Sequence, residues 1–350
     1  SRTSFVFILA DDLGYADLGC YGGRGACSPN LDRMAAQGLL FTDGYASSAV
    51  CSPTRFALAT GRWQYRLRGG ADEPITSRTA RASPVLGLPP GHPTIASLLR
   101  DAGYSTALIG KWHLGFPPRF GPLKSGYTEF FGPMSGGVDY FTHCDLGGKH
   151  DLYDGESEVQ RTGYLTDLIT ERAVSFVKRT RGKPFLLSLH YTAPHWPWEA
   201  RGDEAESKRI QNLSHLDGGS VQTYLAMIRA MDEGIASVLG ALQDAGAEQN
   251  TCIVFTSDNG GERFSDNWPL VGKKMDLLEG GIRVPYIVRW PAQVAAGRTT
   301  TQLCLTMDWM PTFLEAAGVA PHPDYPPDGM SLMKVLKGGV FDRELFWRMK

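Results

Sequence analysis

Short apolar runs alternate with helix-like segments along almost the whole chain, and this alternation restricts the fold more than any other feature. Each apolar run has the length of a strand and is bounded by polar residues, which is typical of buried strands. The predicted strands occupy residues 4–10, 105–110, 184–191, 251–257 and 285–290. The predicted helices occupy residues 29–37, 53–60, 94–102, 167–180, 221–244 and 307–317. This order predicts an α/β fold with a large, mostly parallel central sheet and helices on both faces.

The composition restricts the partners of the chain. Its 350 residues include 35 Lys and Arg against 37 Asp and Glu, so there is almost no net charge to attract nucleic acid or a membrane surface. Any anion binding must therefore come from a local arrangement of side chains. The apolar runs are too short to span a bilayer, and six cysteines are too few for a disulfide-built scaffold.

Polar clusters lie at the ends of four predicted strands or shortly after them. Three of them are pairs, namely Asp11 with Asp12, Lys111 with His113, and Asp258 with Asn259. The fourth is the single residue His195. Because ligands bind beyond the carboxyl ends of parallel strands, we expect these clusters to meet at one edge of the sheet. Loops rich in glycine and proline, at 66–92 and 115–150, are the expected walls of a pocket there.

Two of these clusters offer only oxygen ligands. Adjacent acids such as Asp11 and Asp12 repel each other unless a cation or a hydrogen-bond network holds them. An isolated acidic pair is more often a solvated turn. Here, however, a second strand delivers Asp258 and Asn259 as well, and carboxylate and amide oxygens are the ligands of hard cations. The two clusters predict calcium or magnesium, and the absence of His and Cys from them argues against zinc.

Cys51 lies just before Pro53, at the start of a predicted helix. Free backbone N–H groups at a helix start favour negative charge, and Arg55 is close enough in sequence to meet an anion at the same place. Two interpretations are open on these residues alone. Cys51 is either a thiolate nucleophile, since helix starts lower the pKa of a thiol, or a small buried residue in a helix cap.

Six ordered blocks of the sequence resemble the type I, formylglycine-dependent sulfatases, an arylsulfatase-like family of the alkaline phosphatase superfamily. The blocks are ADDLG at 10–14, CSPTR at 51–55 with ATGR at 59–62, GKWHLG at 110–115, APHWP at 193–197, SDNG at 257–260, and Lys274 leading into EGGIRVP at 279–285. They span nearly the whole chain in the order and with the spacing of the family. The resemblance implies a sulfatase fold and the hydrolysis of sulfate esters to an alcohol and inorganic sulfate.

The resemblance also implies how the nucleophile is made. The signature cysteine of the family, here Cys51, is oxidised to formylglycine by a formylglycine-generating enzyme and then hydrated to a diol. One diol oxygen attacks sulfur to form a covalent sulfo-enzyme intermediate, and the second hydroxyl allows sulfate to be expelled. A plain serine or cysteine would lack this release step.

The family pattern assigns roles to the remaining matched residues. Calcium, with magnesium as the alternative, would be held by Asp11, Asp12, Cys51 as formylglycine, Asp258 and Asn259. Arg55 and Lys111 would hold the ionised diol, and His113 would take the proton that triggers release. His195 and Lys274 would bind sulfate and donate a proton to the leaving oxygen. Lys274 is preferred to Lys273 because its distance to Glu279 fits the family block.

Other residues have less defined roles. Pocket-wall positions are predicted for Trp63, Tyr65, Arg66, Asp139, Tyr140, His143 and Trp198. A structural or substrate-contacting role is left open for His92, His143, His150, His190, His215 and His322. Lys111, His113 and His195 also have ordinary alternatives, as solvated loop residues or a hydrogen-bonded structural histidine.

Two other functions share parts of this pattern. A phosphonate monoester or phosphodiester hydrolase can use the same fold and nucleophile. A non-catalytic, sulfatase-like binding protein is disfavoured because every expected catalytic position is present. A sulfated sugar, an aryl sulfate and another alcohol sulfate all remain open as the substrate.

The domain organisation follows from the same resemblance. We expect a catalytic α/β domain at residues 1–340 and the mostly absent start of a C-terminal subdomain at 341–350, with a first strand at 345–347. Because the first residues already run into an apolar strand, we expect no signal peptide within this sequence. The expected location is periplasmic or secreted if a leader has been removed, and cytoplasmic otherwise.

Overall fold

The computed structural model describes residues 2–214 and 217–350, so His215 lies outside the described residues. The strands are β1 (Ser4–Ala10), β2 (Leu39–Phe41), β3 (Gly44–Tyr45), β4 (Ser105–Gly110), β5 (Glu129–Gly132), β6 (Tyr153–Asp154), β7 (Ser157–Glu158), β8 (Phe185–His190), β9 (Thr251–Ser257), β10 (Tyr286–Arg289), β11 (Arg298–Thr300) and β12 (Cys304–Leu305). The helices are α1 (Pro29–Ala36), α2 (Cys51–Thr60), α3 (Ser77–Ala80), α4 (Ile95–Asp101), α5 (Leu165–Arg179), α6 (Glu204–Arg209), α7 (Val221–Asp244), α8 (Glu279–Ile282), α9 (Trp309–Ala317) and α10 (Met333–Leu336).

One large mixed sheet organises the fold. Within the described residues its strands follow the order β11-β2-β10-β9-β1-β8-β4-β5-β6-β7. The central strands β9, β1, β8, β4 and β5 are parallel to one another. Antiparallel pairing occurs where β10 joins β9 and β2, and where β6 joins β5 and β7. The predicted α/β class, with a large and mostly parallel sheet, is confirmed.

Both faces of the sheet are covered by helices, as the apolar character of its strands requires. Alternate residues of β1 point to opposite faces, since side chains alternate along a strand. Phe5 and Phe7 belong to a core shared with α2, α4 and α9, whereas Val6 and Ile8 belong to a core shared with α1, α5 and α7. These two cores fix the central strands, and with them the loops that follow their carboxyl ends.

The predicted elements agree well with the long elements of the structure. The predicted bounds of β1, β4, β9 and α7 match those observed, and the other predicted strands and helices differ by one or two residues at an end. Helix α2 begins at Cys51 rather than at Pro53, and Gly61 ends it with a left-handed backbone (φ 66°). Very short strands such as β2 and β11 were not predicted, because a strand of three residues is too short to show a periodic pattern.

The last ten residues differ from the prediction. Residues 341–350 form neither helix nor strand, so the strand expected at 345–347 is wrong. The indole N–H of Trp347 instead donates to the carbonyl of Ala46 at 2.8 Å, and its ring lies 4.9 Å from that of Tyr45. This segment therefore packs along the same α/β domain. Among the described residues, no helix combines the length and apolar character that crossing a bilayer requires.

A buried pair of carboxyl groups joins three segments beside β8. The buried carboxyl groups of Asp139 and Glu199 interact, and their repulsion favours a state in which one of them keeps a proton. Burial and the neighbouring Asp139 carboxylate raise the pKa of Glu199 to about 10. Glu199 also accepts from the backbone N–H of Tyr140 at 3.1 Å, and Asp139 accepts from the hydroxyl of Ser207 at 2.8 Å. The pair thus connects the 135–150 loop, the segment after β8 and α6.

The raised pKa of Glu199 predicts a loss of stability at alkaline pH. The folded state keeps a proton that the unfolded chain releases near pH 4.5, so stability falls as the pH rises from there towards 10. The slope is at most about 1.4 kcal/mol per pH unit, the value for one proton. Glu199→Gln imitates the protonated acid and has no proton to lose. Between mildly acidic and alkaline pH, the melting temperature of this variant should therefore fall less than that of the wild type. The exposed substitution Glu171→Gln is the control, and equal slopes for all three proteins would contradict the shared proton.

Candidate active site

Four neighbouring strands deliver the polar clusters to one edge of the sheet. In spatial order β4, β8, β1 and β9 are adjacent and parallel, so their carboxyl ends lie side by side. Asp11 and Asp258 directly follow β1 and β9, and Lys111 directly follows β4. His195 lies five residues beyond the end of β8. The structure therefore brings together all the polar clusters that the sequence placed at strand ends.

The oxygen-bearing residues form a connected and buried cluster. Asn259 Nδ2 donates to Asp12 Oδ1 at 2.8 Å, and the backbone N–H of Asp12 donates to Asp258 Oδ1 at 3.2 Å. Asp12 has a positive φ of 63°, a conformation unusual for residues other than glycine and often found at functional sites. Ligand atoms of Asp11, Asp12, Cys51 and His195 all lie within 4.8 Å of one another.

This cluster fits a hard divalent cation. The Oδ1 atom of Asn259 is buried and has no hydrogen-bond partner in the described part of the chain. Burial and the charges of Asp258 and Asp12 together raise the pKa of Asp11 to about 8, against the opposing effect of Lys111. A divalent cation would satisfy the amide oxygen and offset the repulsion between the carboxylates. His195 Nε2 also lies in this cluster, which the sequence argument from oxygen ligands did not anticipate.

Three cationic side chains balance the three buried carboxylates. Lys111 Nζ forms an ion pair with Asp11, and Lys274 Nζ lies 2.8 Å from Asp12 Oδ2. Arg55 lies 2.8 Å from the remaining carboxylate, that of Asp258, and also donates to the carbonyl of Lys111 at 3.2 Å. Although burial opposes its ionisation, Lys274 and His195 hold the pKa of Asp12 below its ordinary value.

The two adjacent lysines are placed differently. Lys274 is partly buried in the cluster, whereas Lys273 is exposed and absent from the pocket. The backbone N–H of Lys274 donates to the carbonyl of Gly261 at 3.0 Å, which holds this loop against the segment after β9. The structure therefore brings Lys274, rather than its neighbour, to the other predicted site residues.

Cys51 is the first residue of α2 and is only 2% exposed. Its Sγ atom lies 3.6 Å from Asp11 Oδ1 and 3.9 Å from Asp12 Oδ1. Burial raises the pKa of the Cys51 thiol well above its ordinary value, although Lys111 and Lys274 oppose this effect. Of the two interpretations that the sequence left open, a thiolate nucleophile is therefore disfavoured for the unmodified residue.

The two site histidines have defined hydrogen bonds. His113 Nε2 lies 2.7 Å from the carbonyl of Ile75, so this nitrogen carries the hydrogen and Nδ1 is the basic atom. His113 Nδ1 is buried and finds no hydrogen-bond partner among the described residues. His195 Nδ1 bonds the carbonyl of Trp196, which leaves Nε2 facing Asp12 Oδ2 at 3.6 Å. Burial lowers the pKa of both imidazoles well below the ordinary value.

Two glycines allow the 135–150 loop to approach these histidines. A Cβ atom at Gly136 would lie 2.5 Å from the His113 ring, and one at Gly137 would lie 2.9 Å from the His195 ring. Either contact is shorter than normal packing allows. The glycines therefore let one backbone segment close the pocket directly over both imidazoles.

A cavity of about 660 Å³ opens onto Cys51. Its buried floor includes Cys51, His113 and His195, with Lys274 beside them. Its walls come from residues 74–81, 135–137 and 145–149, which lie within the two loops predicted to line a pocket. Its volume lies within the range of ~300–1,000 Å³ that is common for small-molecule sites. The cavity therefore holds more than a sulfate group.

The residues named as pocket walls from the sequence lie elsewhere. None of Trp63, Tyr65, Arg66, Asp139, Tyr140, His143 and Trp198 lines this cavity, and neither do His92, His150, His190 or His322. Tyr140 and Trp198 are buried in the core, and Arg66 pairs with Asp328. The lining residues that sequence reasoning missed include Arg78, Arg81, Lys149 and Trp196. Their only sequence signal was membership of a predicted loop or, for Trp196, its place beside His195.

Comparison with known proteins agrees with this geometry. The sequence profile of the Sulfatase family matches residues 3–319. The chain is 34% identical to the N-acetylgalactosamine-6-sulfatase of Rattus norvegicus, over 98% of this chain and 68% of that protein. It is also 34% identical to the arylsulfatase J of Mus musculus, over 97% of this chain and 56% of that protein.

Solved structures show the same relationship. The crystal structure of Ps i-CgsB matches with a TM-score of 0.85 and 34% identity, covering 96% of this chain and 76% of that one. The PsFucS1 sulfatase from Pseudoalteromonas sp. matches with a TM-score of 0.81 and 25% identity, covering 99% and 75%. The chain belongs to the sulfatase family and is an enzyme that hydrolyses sulfuric esters.

Proposed function

We propose that this sulfatase acts on a sulfated saccharide, with Cys51 converted to formylglycine as its nucleophile and calcium bound beside it. The observation that carries the proposal is the position of Cys51, buried at the floor of the cavity and within 3.9 Å of both Asp11 and Asp12. An oxygen atom on the Cys51 side chain would meet the metal cluster, the basic side chains and the substrate at one point.

The raised pKa of the unmodified thiol supports the formylglycine assignment, because a buried neutral thiol is a poor nucleophile. Hydrated formylglycine supplies two hydroxyl groups, one to attack sulfur and one to release sulfate. Lys111 and Arg55 lie around this position and provide the positive charge that favours an ionised hydroxyl. His113, neutral and with Nδ1 unpartnered among the described residues, is the base that we assign to the second hydroxyl.

The metal assignment rests on the chemistry of the donor set. Asp11, Asp12, Asp258 and Asn259 would hold calcium together with the oxygen of modified Cys51, and magnesium is the alternative. The bound ion would orient a sulfate oxygen and offset negative charge in the transition state. The three carboxylates also hold Arg55, Lys111 and Lys274 in place, so the same residues position the cationic side chains.

His195 and Lys274 are assigned to the leaving group. Both line the cavity, and both approach the same oxygen of Asp12, at 3.6 and 2.8 Å. The hydrogen bond from Nδ1 to Trp196 orients the His195 ring so that Nε2 faces the cluster. A proton donor at this position serves an alcohol that leaves poorly without one. His195 becomes that donor when its Nε2, which faces the Asp12 carboxylate, takes up a proton.

The cavity and the relatives favour a saccharide as the alcohol. Trp196 lines the cavity beside His195, and sugar rings commonly pack against aromatic side chains. One relative carries the name N-acetylgalactosamine-6-sulfatase, and Ps i-CgsB has been solved in complex with k-i-k-neocarrahexaose. Both are similar to this chain over at least 96% of its length. A formylglycine-generating enzyme is the partner that the proposed nucleophile requires.

The first prediction from the proposed function concerns the nucleophile. In active enzyme, the tryptic peptide of residues 34–55 should be lighter than its cysteine form by about 18 Da and should react with hydrazides. Cys51→Ala should lose several orders of magnitude of sulfatase activity, because no other side chain replaces the diol. Cys20→Ser is the control and should keep both the peptide mass and the activity. Full activity with unmodified Cys51 would exclude the mechanism.

The second prediction concerns the metal. Chelation should abolish activity and lower the melting temperature, because the ion binds only the folded state; at a hundredfold excess over Kd this binding contributes ~3 kcal/mol. Calcium should restore both. Asp258→Ala should lack stoichiometric calcium and show no further change on chelation, whereas Asp244→Ala at the end of α7 should behave as the wild type. Stoichiometric zinc without calcium or magnesium in active enzyme would contradict the assignment.

The third prediction concerns the leaving group. His195→Ala should reduce kcat/KM by about a hundredfold or more on an alkyl or sugar sulfate, and by much less on nitrophenyl sulfate, whose phenolate leaves readily. Lys274→Ala should lose activity as well, while Lys273→Ala, its exposed neighbour, is the matched control. Equal losses on the two substrates would assign His195 to sulfate binding alone.

A further inference from the structure

We infer that the mouth of the cavity binds a second anionic group of the substrate through Arg78 and Lys149, which we call the rim pair. This inference rests on the proposed function and narrows its substrate to saccharides with a second sulfate or a carboxylate. Both side chains line the same cavity as Cys51. They are exposed, whereas Cys51, His113 and His195 on the floor are at most 5% exposed. The rim pair therefore lies where the substrate extends beyond its reacting sulfate.

The charges of the rim pair are not cancelled by the protein. In the described part of the chain, neither Arg78 nor Lys149 forms a side-chain hydrogen bond or ion pair. Among the residues that the structure describes, Asp145 is the one carboxylate that lines the cavity wall with them, and Arg81 pairs with it at 2.6 Å. Two positive charges thus remain at the mouth of the cavity. The chain as a whole has a formal net charge of -2, so this local excess is not the result of a basic surface.

The wall that carries the rim pair is fixed in position. Asp145 Oδ1 accepts the backbone N–H groups of Gly147 and Lys149 at 2.9 and 3.0 Å, which holds the turn leading to Lys149. The Arg81 guanidinium stacks over the ring of Phe116 at 4.6 Å while it pairs with Asp145. Through this ion pair, α3, which carries Arg78, is linked to the turn that carries Lys149. The backbone segments that carry the two cations are therefore held at the same cavity, where both side chains can reach an anion attached to a sugar ring.

The lining between floor and rim is mostly uncharged. Pro74, Ile75, Gly136 and Gly137 line the same cavity as the buried floor and the rim pair. A sugar ring can pack against such surface while its reacting sulfate meets Lys274 and its second anion meets the rim pair. A substrate with one charge would leave the rim pair unused.

The experiment compares substrates that differ only in the second anion. Matched saccharides carry the reacting sulfate alone, with a second sulfate, or with a carboxylate, and nitrophenyl sulfate is assayed beside them. The double variant Arg78→Gln, Lys149→Gln tests the rim pair. Its ratio of kcat/KM for the doubly charged saccharide to kcat/KM for the singly charged one should fall about tenfold, mainly because KM for the doubly charged saccharide rises. The preference of the wild type should also weaken as the salt concentration rises. The second sulfate and the carboxylate show separately which group the rim pair prefers.

The control removes the same charge elsewhere. Lys178→Gln with Arg181→Gln, at the exposed end of α5 and outside the cavity, should leave the preference unchanged. Inhibition by the product that keeps its second anion should weaken only in the rim variant, which provides a measurement independent of turnover. An unchanged preference in the rim variant, or an equal loss on singly and doubly charged saccharides, would overturn the inference. Wild-type enzyme that hydrolyses nitrophenyl sulfate but no saccharide would instead overturn the proposed saccharide substrate.

Discussion

The electrostatic balance between three buried carboxylates and three buried or partly buried cations is the constraint on which the rest of the site depends. Asp11, Asp12 and Asp258 are buried away from water, where an unpaired charge would greatly reduce the free energy of unfolding. Their pairing with Arg55, Lys111 and Lys274 makes the burial tolerable, and it holds every charged group of the site in one geometry. A divalent cation bound to these carboxylates would leave the ammonium groups of the two lysines available to pair with a bound sulfate.

The fold meets this constraint by placing four parallel strands side by side. Because β4, β8, β1 and β9 are buried on both faces, their registers are held by two cores, and the residues after them have little freedom. The walls of the cavity are held by polar contacts instead. The Asp139–Glu199 carboxyl pair anchors the loop over the histidines, and the Arg81–Asp145 pair anchors the mouth. The catalytic groups thus follow the strands of the sheet, whereas the cavity walls belong to loops held by ion pairs and hydrogen bonds.

Long elements and strand-end residues were predictable, whereas short strands and pocket walls were not. Helix α7 and strands β4 and β9 carry enough periodic or apolar residues to define their own bounds. Strand β2 has three residues and exists because β10 and β11 pair with it, which no local pattern reveals. Similarly, Tyr140 and Trp198 looked like wall residues but are buried in the core, because loop composition does not indicate which side chains face a cavity. The predicted strand at 345–347 is wrong because Leu345 and Trp347 pack against the domain while the segment pairs with no strand of the described residues.

The sequence by itself determined the fold class, the family and the set of chemical groups at the sheet edge. Apolar strands followed by acids, amides and bases leave few other arrangements, since parallel strands bring their ends together. Only the tertiary structure decided which oxygen of which side chain meets which cation, and that Lys274 rather than Lys273 enters the site. It also decided that Arg78 and Lys149, far apart in sequence, face one cavity. Such contacts depend on how distant loops pack, and packing between distant segments has no signature in local sequence.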